Sequence, residues 1–181
     1  MARLFAFLRA INVGGHTVTM AKLQQIFAGL GLDDVETFIA SGNVIFTSPS
    51  KTLSPLERKI ERGLQKSLGY EVKTFIRTAP QLVSLADYRP FPEAQIRSAG
   101  AFCVGFLAQP LDAAARKALL ALKTEIDDFH AHGCEVYWLC KVRQSDSKFS
   151  NIRFEKATRA KVTFRGATTV AKLAAKAKAH A

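Results

Sequence analysis

The chain has 181 residues, 48% of them hydrophobic, which is enough to bury a core in one ordinary domain or in two small lobes. Its first apolar run, Leu4–Leu8, is five residues long, far below the roughly 18 residues that span a bilayer. The three cysteines include no C-x-x-C pair and lie at Cys103, Cys134 and Cys140. We therefore expect a cytoplasmic protein with reduced cysteines, no membrane partner, no metal and no cofactor.

The formal net charge of +11 is distributed unevenly. The segment from Lys141 to Ala181 contains eleven Lys or Arg residues and two acids, so it carries +9 and the rest of the chain carries +2. A basic segment of this kind favours an anionic partner such as nucleic acid or a phosphorylated ligand. The alternative is a solvated helical face with no partner. Thirteen Phe against one Trp and three Tyr indicate buried aromatic rings and disfavour a displayed surface for base stacking.

The first half of the chain alternates between strand and helix patterns. Its predicted strands are Arg3–Ile11, Val35–Ile39, Asn43–Thr47 and Val72–Arg77. Its predicted helices are Met20–Leu30 with Thr19 as N-cap, Ser54–Leu68 with Pro55 in the first turn, and Ala79–Tyr88. The second and third strands are interpreted as two strand pieces around Ala40-Ser41-Gly42, where a glycine inside a β pattern suggests a bulge, a kink or a close backbone approach. The order of the first half is then β-α-β-α-β-α.

Regular structure breaks at Arg89-Pro90-Phe91-Pro92, which predicts a boundary between lobes at 1–90 and 91–181. The second half contains predicted strands at Ala101–Leu107, Glu135–Leu139 and Lys161–Phe164, and predicted helices after Asp112, from Ser145 to Glu155 and from Thr168 to Lys178. The fold class that follows is α+β, with two ferredoxin-like βαβ-type lobes and helices packed on one face of each sheet.

Acids and histidines offer no catalytic pair at suitable spacing. Asp33-Asp34 and Asp127-Asp128 are interpreted as loop and cap residues, because adjacent side chains point apart on a helix or a strand. The four histidines are interpreted as surface or turn residues, since none has a carboxylate or cysteine partner at metal-ligand spacing.

Two glycine turns are the candidate ligand-binding positions in the first half. The first strand ends through Arg9 into Asn12-Val13-Gly14-Gly15, where a strand that leads through Gly-Gly toward a helix exposes backbone N–H groups. The second candidate is Ser41-Gly42-Asn43, where glycine allows close backbone approach. Neither turn matches a Walker loop or a dinucleotide fingerprint, and a purely structural role for the glycines is the alternative.

The motifs together resemble a known bacterial family. They are Leu8-Arg9-Ala10-Ile11-Asn12-Val13-Gly14-Gly15, Met20-Ala21-Lys22-Leu23, Ile39-Ala40-Ser41-Gly42-Asn43-Val44-Ile45-Phe46, Ser147-Lys148 and Thr169-Val170-Ala171-Lys172-Leu173. Over nearly the whole chain the sequence resembles domain of unknown function 1697. The resemblance implies a compact α+β protein of two related lobes and no established activity.

Near its end the chain departs from that family. Similar proteins tend to have Thr-x-Arg-Asn-Trp before the last helix, whereas this chain continues Thr163-Phe164-Arg165-Gly166-Ala167. The Asn and Trp are absent, so only Thr163, Arg165 and Lys172 carry over from this region, with Lys148 from the preceding motif. If the missing Asn and Trp build part of a pocket in relatives, the resemblance implies an altered or more open pocket in this chain.

Two functional hypotheses follow. In the first, the basic C-terminal segment binds an anionic ligand, with nucleic acid foremost, through Arg143, Arg153, Lys156, Arg159, Lys161 and Arg165, without reading base sequence. In the second, the protein is a small-molecule enzyme or sensor, and its pocket is formed by Arg9, Asn12, Ser41 and Asn43 and closed by Lys148 or Arg165. A third interpretation assigns the glycine motifs to folding alone.

Overall fold

A computed structural model describes residues 1–39 and 42–179 of the chain. These residues form two compact units. The N-terminal unit contains Met1–Leu82 and the chain from Ala177, and the C-terminal unit contains Val83–Lys176.

The N-terminal unit is built on a four-stranded antiparallel sheet in the order β2-β3-β1-β4. Its strands are β1 (Ala2–Leu8), β2 (Asp33–Thr37), β3 (Asn43–Ser48) and β4 (Thr74–Thr78). Its helices are α1 (Met20–Gly29) and α2 (Leu53–Leu68), and α3 (Ala79–Asp87) leads into the second unit. As the apolar run predicts, β1 is central: Leu4 pairs with Phe46 of β3 on one side and with Thr78 of β4 on the other.

The C-terminal unit repeats this arrangement with its sheet in the order β6-β7-β5-β8. Its strands are β5 (Ala101–Phe106), β6 (Asp127–His132), β7 (Glu135–Cys140) and β8 (Thr163–Gly166). Its helices are α4 (Glu93–Ser98), α5 (Ala113–Leu120), α6 (Asn151–Thr158) and α7 (Ala167–Lys178). Each sheet therefore belongs to a β-α-β-β-α-β unit, which confirms the predicted α+β fold with two ferredoxin-like lobes.

In each unit, one face of the sheet is packed against the two helices of the β-α-β-β-α-β pattern, α1 and α2 or α5 and α6. Leu4, Ala6 and Leu8 of β1 share a buried cluster with apolar residues of α1 and α2. Cys103 of β5 and Trp138 of β7 share a second cluster with Leu119 of α5 and Phe154 of α6. Alternate residues of a strand face opposite sides of the sheet, so one side of each sheet buries its apolar side chains beneath the helices.

Local signals predict several helix termini correctly. The Thr19 hydroxyl accepts a hydrogen bond from the Lys22 N–H at 3.1 Å, and the Asp112 carboxylate accepts one from Ala115 N–H at 2.7 Å. Helix α2, however, begins at Leu53 after Thr52 rather than at Ser54. Helix α6 begins at Asn151 with Ser150 as its N-cap, so the predicted start at Ser145 is wrong.

Strand pairing corrects two further predictions. The two strand pieces around Gly42 are separate strands, β2 and β3, that pair with each other in an antiparallel hairpin, so the N-terminal unit has one strand more than the predicted order β-α-β-α-β-α allows. Asp33-Asp34 and Asp127-Asp128 begin the edge strands β2 and β6 and are not loop or cap residues. Short helix α4 follows the proline-rich break and was not predicted. Within the described ranges, none of the helices is both long and apolar enough to cross a membrane.

Candidate functional site

The Arg9–His16 turn is held by hydrogen bonds to neighbouring residues and by a ring contact. The Asn12 Oδ1 atom accepts a hydrogen bond from the Val18 N–H at 2.8 Å. The Tyr70 hydroxyl donates to the Ile11 carbonyl at 3.1 Å, and the Tyr70 ring stacks on His16 with centroids 3.9 Å apart. Gly14 has a φ of +63°, and a Cβ there would meet no atom within 4 Å, so this turn needs glycine for its conformation and not for space.

The second glycine turn lies directly against the first. The Leu8 N–H donates to the Gly42 carbonyl at 2.8 Å, and a Cβ on Gly42 would lie 2.6 Å from Ile11 Cγ2. Asn43 is buried, and its Nδ2 donates to the Phe38 carbonyl at 2.9 Å. The structure thus brings the Asn12 and Asn43 regions to one end of the sheet, where β1 ends and β3 begins, with both amide side chains bonded within the protein. Ser41 lies outside the described residues.

Four predicted site residues belong to the C-terminal unit. Thr163 and Arg165 lie together on β8 and are buried, with Arg165 Nη1 donating to Thr163 Oγ1 at 2.7 Å and to the Phe164 carbonyl at 2.9 Å. Burial lowers the pKa of Arg165 to about 10, which leaves it protonated at neutral pH. Lys148 precedes α6 and is exposed, and Lys172 is exposed on α7. Arg165 therefore does not belong to the exposed basic surface.

Helix α6 presents cations to solvent while turning its acid inward. Arg153 and Lys156 of α6 are exposed, as is Arg159, which directly follows the last residue of the helix. Ile152, next to Arg153, is 76% exposed. Glu155 of the same helix accepts a hydrogen bond from the Val162 N–H at 3.2 Å and pairs with Lys161 Nζ at 3.4 Å. The α6 basic face, defined by Arg153, Lys156 and Arg159, thus contains no exposed acid.

Helix α2 has the same organisation in the N-terminal unit. Glu57 accepts a hydrogen bond from the Ile76 N–H at 2.8 Å, and Glu61 accepts one from the Thr74 N–H at 3.0 Å. Burial, the largest effect, raises the pKa of Glu57. Both acids thus cover the outer edge of β4. Three exposed cations spaced four residues apart form the α2 basic face, which consists of Arg58, Arg62 and Lys66. The fourth cation of the helix, Lys59, is also exposed and donates to the Leu30 carbonyl at 2.6 Å.

The α2 basic face is not found by counting charge along the sequence. Helix α2 contains four cations and two acids, Glu57 and Glu61, so a count along the sequence gives it a net charge of only +2. The signal that reveals the face is the spacing of the acids, four residues apart, which places both on one side of the helix. A repeated contact supports the likeness of the two units: Lys73 pairs with Glu61 at 2.9 Å, as Lys161 pairs with Glu155.

Among the described residues, neither the Cys103 thiol nor the possible metal ligands provide a reactive centre. Burial, reinforced by Cys140, raises the pKa of the Cys103 thiol to about 11, so this thiol stays protonated at neutral pH. Within residues 1–39 and 42–179, no group of three or more His, Cys, Asp or Glu side chains is arranged to hold a metal ion.

Comparison with known proteins gives the family. Residues 1–137 match the family described as protein of unknown function, DUF1697. The chain belongs to this family. A solved structure similar to this DUF1697 protein is that of a conserved bacterial protein from Streptococcus pneumoniae, with a TM-score of 0.72 and 24% identity, covering 98% of this chain and 99% of the other. That likeness shows the shared fold. No protein of curated function matches the chain.

Proposed function

We propose that this DUF1697 protein binds nucleic acid through its exposed basic faces, with phosphate groups as the main contacts. The observation that carries the proposal is the orientation of charge on α6: Arg153, Lys156 and Arg159 face solvent, whereas Glu155 is bonded to Val162 N–H and Lys161. A cationic surface without interspersed acids attracts a polyanion at long range. The α2 basic face has the same composition and extends the proposal to the N-terminal unit.

Phosphate contacts predict a mode of binding that is independent of base sequence. Each neutralised phosphate releases counterions, so affinity falls steeply as salt increases. Loss of three contacts on α6 reduces the slope of log affinity against log salt by about 2.7 for duplex DNA, at about 0.9 for each phosphate.

The test is a fluorescence-polarisation titration of a labelled oligonucleotide at several salt concentrations. We expect the triple variant R153Q/K156Q/R159Q to bind more weakly and with a shallower salt slope than the native protein. The triple variant K22Q/K51Q/R97Q removes the same charge from exposed positions outside both basic faces and is the matched control. Absence of binding at low salt, or an affinity that salt does not change, contradicts the proposal.

A small-molecule pocket at the glycine turns is the second candidate. Its support is the contact between the Gly42 turn and the segment after β1. The amide groups of Asn12 and Asn43, which would have to recognise the ligand, are bonded to Val18 N–H and to the Phe38 carbonyl. Since their hydrogen bonds serve the turns themselves, we place nucleic-acid binding first.

A further inference from the structure

A cavity of about 460 Å³ lies in the C-terminal unit, next to the beginning of α6. Its volume falls within the range of about 300–1,000 Å³ that is typical of small-ligand sites. Apolar side chains of Leu122, Ile126 and Phe149 line it together with the cations Lys148 and Arg153. The remaining lining residues are Thr124, Glu125, Asp127 and Asp146. Such a lining suits a ligand with a flat apolar part and a negative charge.

The aromatic wall of the cavity is fixed by its neighbours. The ring of Phe149 is half-buried, and its centroid lies 4.7 Å from those of Phe129 and Trp138 and 5.6 Å from that of Phe164. Because these rings already hold Phe149 in place, a ligand that packs on it orders little additional side chain. This single ring is recessed in a cavity and is distinct from the displayed stacking platform that the amino-acid composition disfavours.

Of the three acids in the lining, Glu125 is exposed, and the other two are already bonded to protein groups. Asp127 accepts hydrogen bonds from Trp138 Nε1 and Ser147 Oγ, each at 2.9 Å. Asp146 pairs with Arg143 Nε at 3.1 Å. Lys148 and Arg153, in contrast, form no ion pair with any carboxylate in the described part of the chain. Their charge is therefore available to a ligand phosphate at the mouth of the cavity.

Arg153 belongs both to this cavity and to the α6 basic face. Its Nη1 donates to the Lys148 carbonyl at 3.2 Å, which holds the guanidinium group over the segment that leads to Phe149. We propose that the protein is selective for single-stranded nucleic acid: phosphates lie along Arg153 and Lys156, and one unstacked base enters the cavity against Phe149. This inference rests on the proposed function. A duplex is disfavoured because its bases are paired and stacked, and extruding one costs free energy.

The experiment compares a short single-stranded oligonucleotide with the duplex of the same sequence at low salt. We expect the native protein to bind the single strand about tenfold or more tightly than the duplex, as base stacking on an aromatic ring provides. Glu125→Trp fills the cavity from an exposed lining position, and Glu125→Gln removes the same charge without adding bulk. The single-strand affinity of E125W is expected to be about tenfold below that of E125Q, with equal duplex affinities for the two variants.

An independent readout comes from Trp138, the only tryptophan of the native chain. Its indole N–H is bonded to Asp127 and its ring contacts Phe149, so a base in the cavity changes its fluorescence, whereas a duplex does not. Melting curves of E125W and E125Q establish that both variants are folded. Equal affinity of the native protein for the two forms, or equal single-strand binding by both variants, overturns the inference and leaves the proposed function intact. Binding to neither form overturns both.

Discussion

Replacing Gly42 by alanine is expected to lower the free energy of unfolding by about 2–5 kcal/mol. The backbone φ at Gly42 is +75°, a left-handed conformation that costs a residue with a Cβ about 1–2 kcal/mol. The new Cβ would also lie 2.6 Å from Ile11 Cγ2 and 3.2 Å from Leu8 Cβ, and overpacking of this kind costs about 1–3 kcal/mol. The expected total is the sum of the two costs, because one arises from the backbone conformation and the other from overlap of side-chain atoms.

Gly14→Ala separates these two effects. Gly14 has a similar φ of +63°, but a Cβ there would meet no atom within 4 Å, so only the conformational cost of about 1–2 kcal/mol is expected. Ile11→Leu provides a second control, because leucine lacks the methyl group on Cβ that meets Gly42. In the I11L background, Gly42→Ala is therefore expected to cost less than in the native protein.

Urea unfolding followed by far-UV circular dichroism measures these differences. Trp138 belongs to the C-terminal unit, so its fluorescence is not the direct probe for a change at Gly42. Equal destabilisation by Gly42→Ala and Gly14→Ala, or the same cost of Gly42→Ala with and without Ile11, would show that the two turns do not press against each other.

Two predictions concern the C-terminal unit. Asp127→Ala is expected to lower the free energy of unfolding by about 2–4 kcal/mol, because it removes the buried acceptor of Trp138 Nε1 and Ser147 Oγ. Urea unfolding followed by Trp138 fluorescence measures this difference. A change below about 0.5 kcal/mol, which is the usual range for surface substitutions, contradicts the prediction. Burial, and to a lesser extent the charges of His132 and Arg116, lowers the pKa of His130 in the folded protein. The unfolded chain therefore binds a proton at this residue more tightly than the folded protein does. The free energy of unfolding is consequently expected to decrease as the pH falls through about 6.5, the pKa of an unperturbed histidine. Relative to His130→Gln, the native protein should thus lose melting temperature between about pH 8 and pH 5.5, and an NMR titration midpoint of His130 at or above 6.5 would contradict the reasoning.

Local signals were sufficient for many of the individual elements. The apolar run at Leu4–Leu8 predicts a central strand because it has no polar face to expose, and Thr19 and Asp112 predict helix starts because the cap bonds only the next turn. The β2–β3 hairpin was missed, because a glycine between two β segments is equally consistent with a bulge and with a turn. Strand pairing, which joins distant residues, distinguishes the two.

In the candidate sites, too, the local turns could be predicted from the sequence, whereas the contacts between distant residues could not. The sequence predicts the motif turns at Gly14-Gly15 and Gly42, but contact between them depends on the antiparallel pairing of β1 with β3. Likewise, the position of Arg165 in a basic segment says nothing of its burial on β8. Its charge counts toward the segment total while its guanidinium group is bonded to Thr163 and Phe164.

The amino-acid sequence by itself determined the net charge, the helix caps Thr19 and Asp112, most of the strands and the family, since these depend on residue type and on neighbours a few positions away. Only the tertiary structure decided which charges meet solvent. Glu57 and Glu61 are turned toward β4, and Glu155 toward Val162, because strand edges offer N–H groups that need acceptors. Because these acids are bonded to backbone N–H groups, they do not lie on the exposed side of their helices, and the cations remain there without neighbouring acids.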